Sequence, residues 1–180
     1  ICPFPSNSKL LIGQGKTLDS PELYRKLVGK LNFFVHTRPD LAFAVQHRSQ
    51  FMADPRVPHY EAAKHVLRYI NKDSYHGLFM NNFDDFNLQA YCDSDWASCP
   101  QSKRSVSGFV VLLGNNRIAW KSKKQITVSL SSAEAEYRRM QRLTAELAWL
   151  TRLLHEIGVP NVTPVPVQCD SQAAIYIAKN

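Results

Sequence analysis

Hydrophobic and polar positions follow two periods along the chain, and the change between them falls near residue 80. Before it the spacing is helical. Asp19-Ser20-Pro21-Glu22 predicts a helix start, with a capping Ser, a Pro where a missing N–H does no harm and an acid in the first turn. Leu23, Leu27, Leu31 and Phe34 follow three and four apart, the stripe of an amphipathic helix. Thr37-Arg38-Pro39-Asp40 restarts a second helix bearing Leu41, Ala44, Val45 and Met52, which Asp54-Pro55 and Val57-Pro58 break. A third helix, predicted over Tyr60 to Ile70, turns Ala63, Val66, Leu67 and Ile70 inward and leaves Lys64, His65, Arg68 and Lys72 outward.

Asn81-Asn82-Phe83-Asp84-Asp85 is the predicted joint, separating a helical segment, 1–83, from a second domain, 84–180. Leu88 to Asp93, Ser107 to Leu113 and Ile118 to Ser122 predict strands, the last two joined by the hairpin signal Gly114-Asn115-Asn116. A capping box, Ser131 and Glu134, opens a long helix running to Gly158. Val165 to Asp170 predicts a final strand and Gln172 to Ala178 a final helix. The expected class is α/β, a mixed sheet with helices packed on it.

Composition narrows this picture. At 180 residues, 44% hydrophobic and 21% charged, the chain has the material of a folded protein rather than a disordered one. No apolar run approaches the roughly 18 residues of a membrane span, and Ile1 to Pro5 carry no leader pattern, so no membrane partner is expected. Ile at position 1, with no Met before Met52, points to a piece of a longer chain. The net charge of +7 favours polyanions, and it concentrates in the helical part, where 11 Lys and Arg face 6 Asp and Glu. Cys2, Cys92, Cys99 and Cys169 contain no C-x-x-C and no histidine at zinc spacing, which predicts free thiols. One histidine, His155, follows residue 83, and it is expected to face solvent. No G-x-S-x-G occurs, which argues against a Ser/His/Asp hydrolase.

The candidate chemistry lies in acids. On a helical wheel, Tyr137, Met140, Leu143, Thr144, Leu147, Leu150 and Leu154 form one predicted apolar arc, and Glu136 falls inside it. Glu134 faces away, where Arg138 is its i,i+4 partner. A carboxylate on a buried face must be protonated, paired or metal-bound. Taken alone, Glu136 is more simply a first-turn acid accepting backbone N–H groups near solvent. Asp93 and Asp170 close the first and last predicted strands, which taken alone makes them ordinary loop acids. At the carboxyl ends of neighbouring parallel strands they would meet Glu136. Three oxygen ligands with no His or Cys among them suit Mg²⁺ or Mn²⁺ rather than zinc. Asp95, two residues on, reads as a turn acid or a supporting group. Lys121, Lys123 and Lys124 beside Trp120 read equally as a nucleic-acid contact or an exposed strand end, and Trp96 and Trp149 as packing residues.

Tyr91-Cys92-Asp93-Ser94-Asp95-Trp96-Ala97, Arg104-Ser105-Val106-Ser107-Gly108-Phe109, Trp120-Lys121-Ser122-Lys123-Lys124-Gln125, Ser131-Ser132-Ala133-Glu134-Ala135-Glu136-Tyr137 and Cys169-Asp170-Ser171-Gln172-Ala173-Ala174 stand in an order and spacing that resembles one family. It is the RNase H domain of copia-type LTR-retrotransposon Pol polyproteins. Upstream, Tyr24-Arg25-Lys26-Leu27-Val28-Gly29, Thr37-Arg38-Pro39-Asp40-Leu41 and Leu67-Arg68-Tyr69 resemble the C-terminal end of the reverse transcriptase of the same polyprotein.

The resemblance implies an RNase H-like mixed sheet flanked by helices, truncated at its C-terminus and preceded by a small thumb- or connection-like helical segment. It implies a metal-dependent endonuclease hydrolysing the RNA strand of RNA–DNA hybrids during reverse transcription. Asp93, Glu136 and Asp170 would be its catalytic and metal-binding residues, holding two Mg²⁺ ions, with Mn²⁺ as a substitute. Ser94, Ser132, Gln172, Lys121 and Lys123 would contact the hybrid, and Lys64, Arg68 and Lys72 its phosphates. The implied partners are the hybrid and the rest of the Pol polyprotein, and the implied location is a cytoplasmic virus-like particle. The family's fourth metal-binding carboxylate would follow Asn180, and the polymerase aspartates would precede Ile1. The alternative is a catalytically incompetent nucleic-acid-binding relic. An integrase-like strand-transfer domain would need acids at other spacings.

Overall fold

The computed structural model of the chain describes residues 2–4, 10–82, 85–159 and 162–179. Phe83 and Asp84, in the predicted joint, lie outside the described residues. The chain forms two compact units, Ile1–Leu78 and Phe79–Asn180. No described helix is long and apolar enough to cross a membrane.

In the first unit, α1 (Pro21–Phe34) is followed by a 3-10 turn (Pro39–Leu41), α2 (Ala42–Ser49) and α3 (Val57–Lys72). The buried face of α1 keeps Leu31, and in part Leu27, of the predicted leucine stripe and loses its two ends. Tyr24, Val28 and Leu31 point inward, while Leu23 and Phe34 are exposed. Tyr24 and Val28 join Leu31 on that face. Tyr24 can turn inward because its hydroxyl donates to the Arg48 carbonyl at 2.7 Å. Ser20 makes no capping bond with its side chain. Helix α3 begins before the predicted start, because Pro58 occupies its first turn rather than breaking it. Ala63 and Val66 are buried as expected, and Leu67 is exposed. Two clusters form this core: Leu31, Leu41, Ala44, Val45 and Val66, and Tyr24, Val28, Phe51 and Ala63.

The second unit is mixed α/β. It runs β1 (Leu88–Asp95), β2 (Val106–Leu113), β3 (Asn116–Lys124), α4 (Ser132–Glu156), β4 (Val167–Gln168) and α5 (Gln172–Lys179). The four-stranded sheet has the order β3-β2-β1-β4, antiparallel except for β4, which lies parallel to β1. Gly114 and Asn115 turn β2 into β3 with φ of +51° and +66°, the left-handed pair that a tight hairpin requires. A side chain at Gly114 would run into the Asp85 backbone. The predicted final strand shrinks to two residues, since Pro164 and Pro166 have no N–H to offer a ladder. Ala90 N still donates to the Pro166 carbonyl at 3.0 Å, and Ala90 and Tyr91 pair with Val167 and Gln168.

Leu143, Leu147, Leu150 and Leu154 of α4 pack on Leu88, Ala90 and Cys92 of β1, Phe109 and Val111 of β2, and Val162. Burying each leucine contributes about 1.5–3 kcal/mol. The buried arc is rotated by roughly 70° from the predicted one. It keeps the four leucines and Glu136, gains Ala135 and Arg139, and leaves Tyr137 and Thr144 exposed. Thr144 satisfies its hydroxyl on its own helix, at the Met140 carbonyl.

Candidate metal centre

The parallel pairing of β1 and β4 ends at Tyr91–Gln168; just beyond it Cys92 interacts with Cys169, and Asp93 and Asp170 line one pocket. Cys92 and Ser94 are buried, whereas Asp93 is exposed on the opposite face of its strand. Helix α4 enters beside this edge. Ser131 caps it by accepting from Glu134 N at 3.1 Å, and Glu134 accepts from Leu130 N and pairs with Arg138 at 2.8 Å. Two residues on, Glu136 is 5% exposed. Its Oε1 accepts the Ser94 backbone N–H at 2.9 Å, and its Oε2 lies 3.7 Å from the Cys169 thiol. Glu136 thus does accept a backbone N–H, but from β1 rather than from its own helix, and away from solvent.

Ligand atoms of Glu136, Cys169 and Asp170 lie within 4.8 Å of one another. Asp93 stands outside that group. It lines, with Tyr91, Val110 and Asp170, a pocket of about 540 Å³. Burial pushes the Glu136 carboxyl above its ordinary range, the Ser94 N–H opposes this, and repulsion from Asp93 and Asp170 adds to it. Asp95 is raised too, by burial and then by Asp93.

Cys169, which the expected ligand set did not include, lies in that group. Its thiol is raised by burial, so at neutral pH it remains a protonated donor toward Glu136 rather than a thiolate. The remaining donors are hard carboxylate oxygens crowded enough to repel one another, a set that fits Mg²⁺ or Mn²⁺. All four cysteines are free.

Gln125 ties this corner together from the end of β3. Its Nε2 donates to Ser107 Oγ at 2.8 Å, to the Ala135 carbonyl at 2.9 Å and to Ser94 Oγ at 3.4 Å, while its Oε1 accepts from Ser129 Oγ at 3.0 Å. Ser94 is therefore a buried member of the scaffold and not the accessible nucleic-acid contact expected of it, since its hydroxyl is spent on Gln125 and Ser107.

The other expected contacts are spread out. Ser132 and Gln172 are exposed first residues of α4 and α5. Lys121 and Lys123 are exposed on the edge strand β3, in register with Phe109 and Ser107. Lys124 places its ammonium 3.6 Å from Cys99 Sγ. Lys64, Arg68 and Lys72 belong to α3 of the first unit, where Glu61 pairs with Lys64 at 2.6 Å and with Arg68 at 3.7 Å. Trp96 is half-exposed, with its indole N–H held by the Ser129 carbonyl, and Trp149 and His155 are exposed. Cys169 and Arg139 are parts of this corner that sequence reasoning passed over. Arg139 lies beside Leu150 on the wheel, a position that would have placed it inward had its charge not argued otherwise.

No family model matches the chain, and no solved structure gives a significant match. Curated sequences do match. The chain is 40% identical over 178 residues to the retrovirus-related Pol polyprotein from transposon RE2 of Arabidopsis thaliana, covering 99% of this chain and 12% of the relative. It is 38% identical over 158 residues to the Pol polyprotein from transposon TNT 1-94 of Nicotiana tabacum, covering 87% and 12%. It is 43% identical over 129 residues to the secreted RxLR effector protein 161 of Plasmopara viticola, covering 71% and 91%. The chain belongs to the copia-type retrotransposon Pol polyproteins, and it spans about an eighth of the length of the Pol relatives it matches.

Proposed function

We propose that the second unit is an RNase H-like domain that hydrolyses the RNA strand of RNA–DNA hybrids during reverse transcription of a retroelement. The observation carrying this reading is the convergence of Glu136 and Asp170 within 4.8 Å, with Asp93 on the wall of the adjoining pocket. Asp93, Glu136 and Asp170 would hold the divalent ions. The chemistry such ions supply is activation of water for in-line attack on phosphorus and neutralisation of the leaving 3′ oxygen. The chain's own part is placement. Ser94 N fixes one Glu136 oxygen, the Cys169 thiol lies against the other, and the exposed Asp93 and Asp170 face the pocket that a phosphodiester would enter. Lys121 and Lys123 offer positive charge to the hybrid backbone, and Ser132 and Gln172 are exposed for 2′-hydroxyl contacts. The first unit, by its likeness to Pol polyproteins, is the end of a reverse transcriptase whose Lys64, Arg68 and Lys72 meet phosphates without reading sequence. The rest of that polyprotein is its partner, in a cytoplasmic particle.

A labelled RNA–DNA hybrid incubated with the chain and millimolar Mg²⁺ should be cut only in the RNA strand. Asp93→Asn should reduce the rate by roughly a hundredfold or more. A hybrid that is bound but left intact supports the second reading, a nucleic-acid-binding relic. Asp93 standing outside the 4.8 Å group favours that second reading.

A further inference from the structure

Arg139 is the least accommodated charge near the acidic centre. It is 3% exposed, one turn past Glu136 on the same face of α4, with its guanidinium 5.1 Å over the Phe109 ring. Phe109 is the register partner of Cys92 on β1. The Arg139 Nε and Nη2 atoms are buried with no hydrogen-bond partner. No carboxylate among the described residues lies within ion-pair distance of it. A buried guanidinium with two idle donors is costly unless nearby negative charge offsets it. Burial, the largest influence, lowers it to about 10, Glu136 and Asp93 act on it with negative charge and Arg142 opposes them, so it stays charged at neutral pH.

We propose that Arg139 is a built-in counter-ion of the acidic centre, offsetting part of the negative charge that Asp93, Glu136 and Asp170 present and so weakening the hold on a divalent ion. The inference rests on reading that centre as a metal site. Arg139 is a positioning residue here: it touches neither substrate nor metal, lying on the helix side of the sheet against Phe109. Its effect is electrostatic. A positive charge one helical turn from Glu136, in a poorly solvated corner, opposes a second positive charge arriving there.

The test is Mn²⁺ binding by the whole 180-residue chain, read from the electron paramagnetic resonance signal of free Mn²⁺, for wild type, Arg139→Met and Arg139→Lys. Arg139→Met, which keeps length and packing without charge, should bind roughly tenfold more tightly, and Arg139→Lys should bind as wild type does. A purely structural role would move the melting temperature but would not tighten Mn²⁺. Equal or weaker binding by a folded Arg139→Met, checked by its thermal melt, overturns the counter-ion role and leaves the metal site standing. Absence of Mn²⁺ binding in all three proteins overturns the metal-site reading itself, and the inference with it.

Discussion

Residue by residue, this protein places polar side chains where a sheet meets a helix start and then satisfies most of them. Gln125 does this most completely, with four side-chain hydrogen bonds joining β1, β2, α4 and the loop before α4. Replacing it with Leu, close in size, would leave the Ala135 carbonyl and the Ser107 hydroxyl buried without that donor. Gln125→Leu should therefore lose about 2–4 kcal/mol in urea denaturation, whereas Lys123→Leu, on the exposed edge, should change stability by less than about 0.5 kcal/mol. Equal losses in the two variants would show that the network is not structural. The burial of Glu136 was legible from its place inside the apolar arc, against the simpler reading of a first-turn acid near solvent. Gln125, though part of a recognised block, has no periodicity to declare its burial. Arg139 was illegible because a wheel counts charge as surface. Asp93 and Asp170 were visible only as strand ends, and nothing in their spacing told which face each would take.

At the level of elements, helices and hairpin were legible where period and turn chemistry agreed. The left-handed Gly114 and Asn115 and the Ser131 cap follow directly from residue type. Faces and ends were less so. The buried face of α1 took in Tyr24, which found a carbonyl across the unit, and β4 lost most of its length to prolines whose effect depends on which neighbour they meet. The start of α3 shows a further pairing that sequence does not display. His59 is buried, stacked on Phe51 with centroids 4.0 Å apart, and its Nδ1 accepts from Arg56 N. That bond requires a lone pair, so Nε2 carries the proton and donates to the Leu11 carbonyl at 3.0 Å. Burial accordingly lowers the His59 pKa below its ordinary 6.5. The unfolded chain then binds the proton more readily than the folded one. The associated stability is present above about pH 6.5 and is lost as pH falls from there toward the depressed folded value. Melting of the first unit followed from pH 8 to pH 5 should fall over that window, and His59→Gln should flatten the fall. An unchanged pH slope in that variant would remove His59 from the account.

Across the whole molecule, the class was readable early and the assembly was not. Ordered blocks pointed to one family, the matched Pol polyproteins bear that out, and a helical unit followed by a mixed α/β unit is what the period change near residue 80 anticipates. The net charge of +7 acts at this scale too. If Lys and Arg hold a hybrid through its phosphates, raising salt from about 50 to 200 mM should weaken binding by roughly tenfold or more, measured by fluorescence anisotropy. Salt-independent binding would point to contacts other than charge. The shortness of β4 carries one last consequence. Asp170 hangs from a strand of two paired residues at the margin of the sheet, so this segment should be among the first to fray and its amides among the quickest to exchange. On the proposed reading, an ion held between Asp170 and Glu136 would also fasten this margin to the rest of the sheet, so that its binding and local folding would be linked.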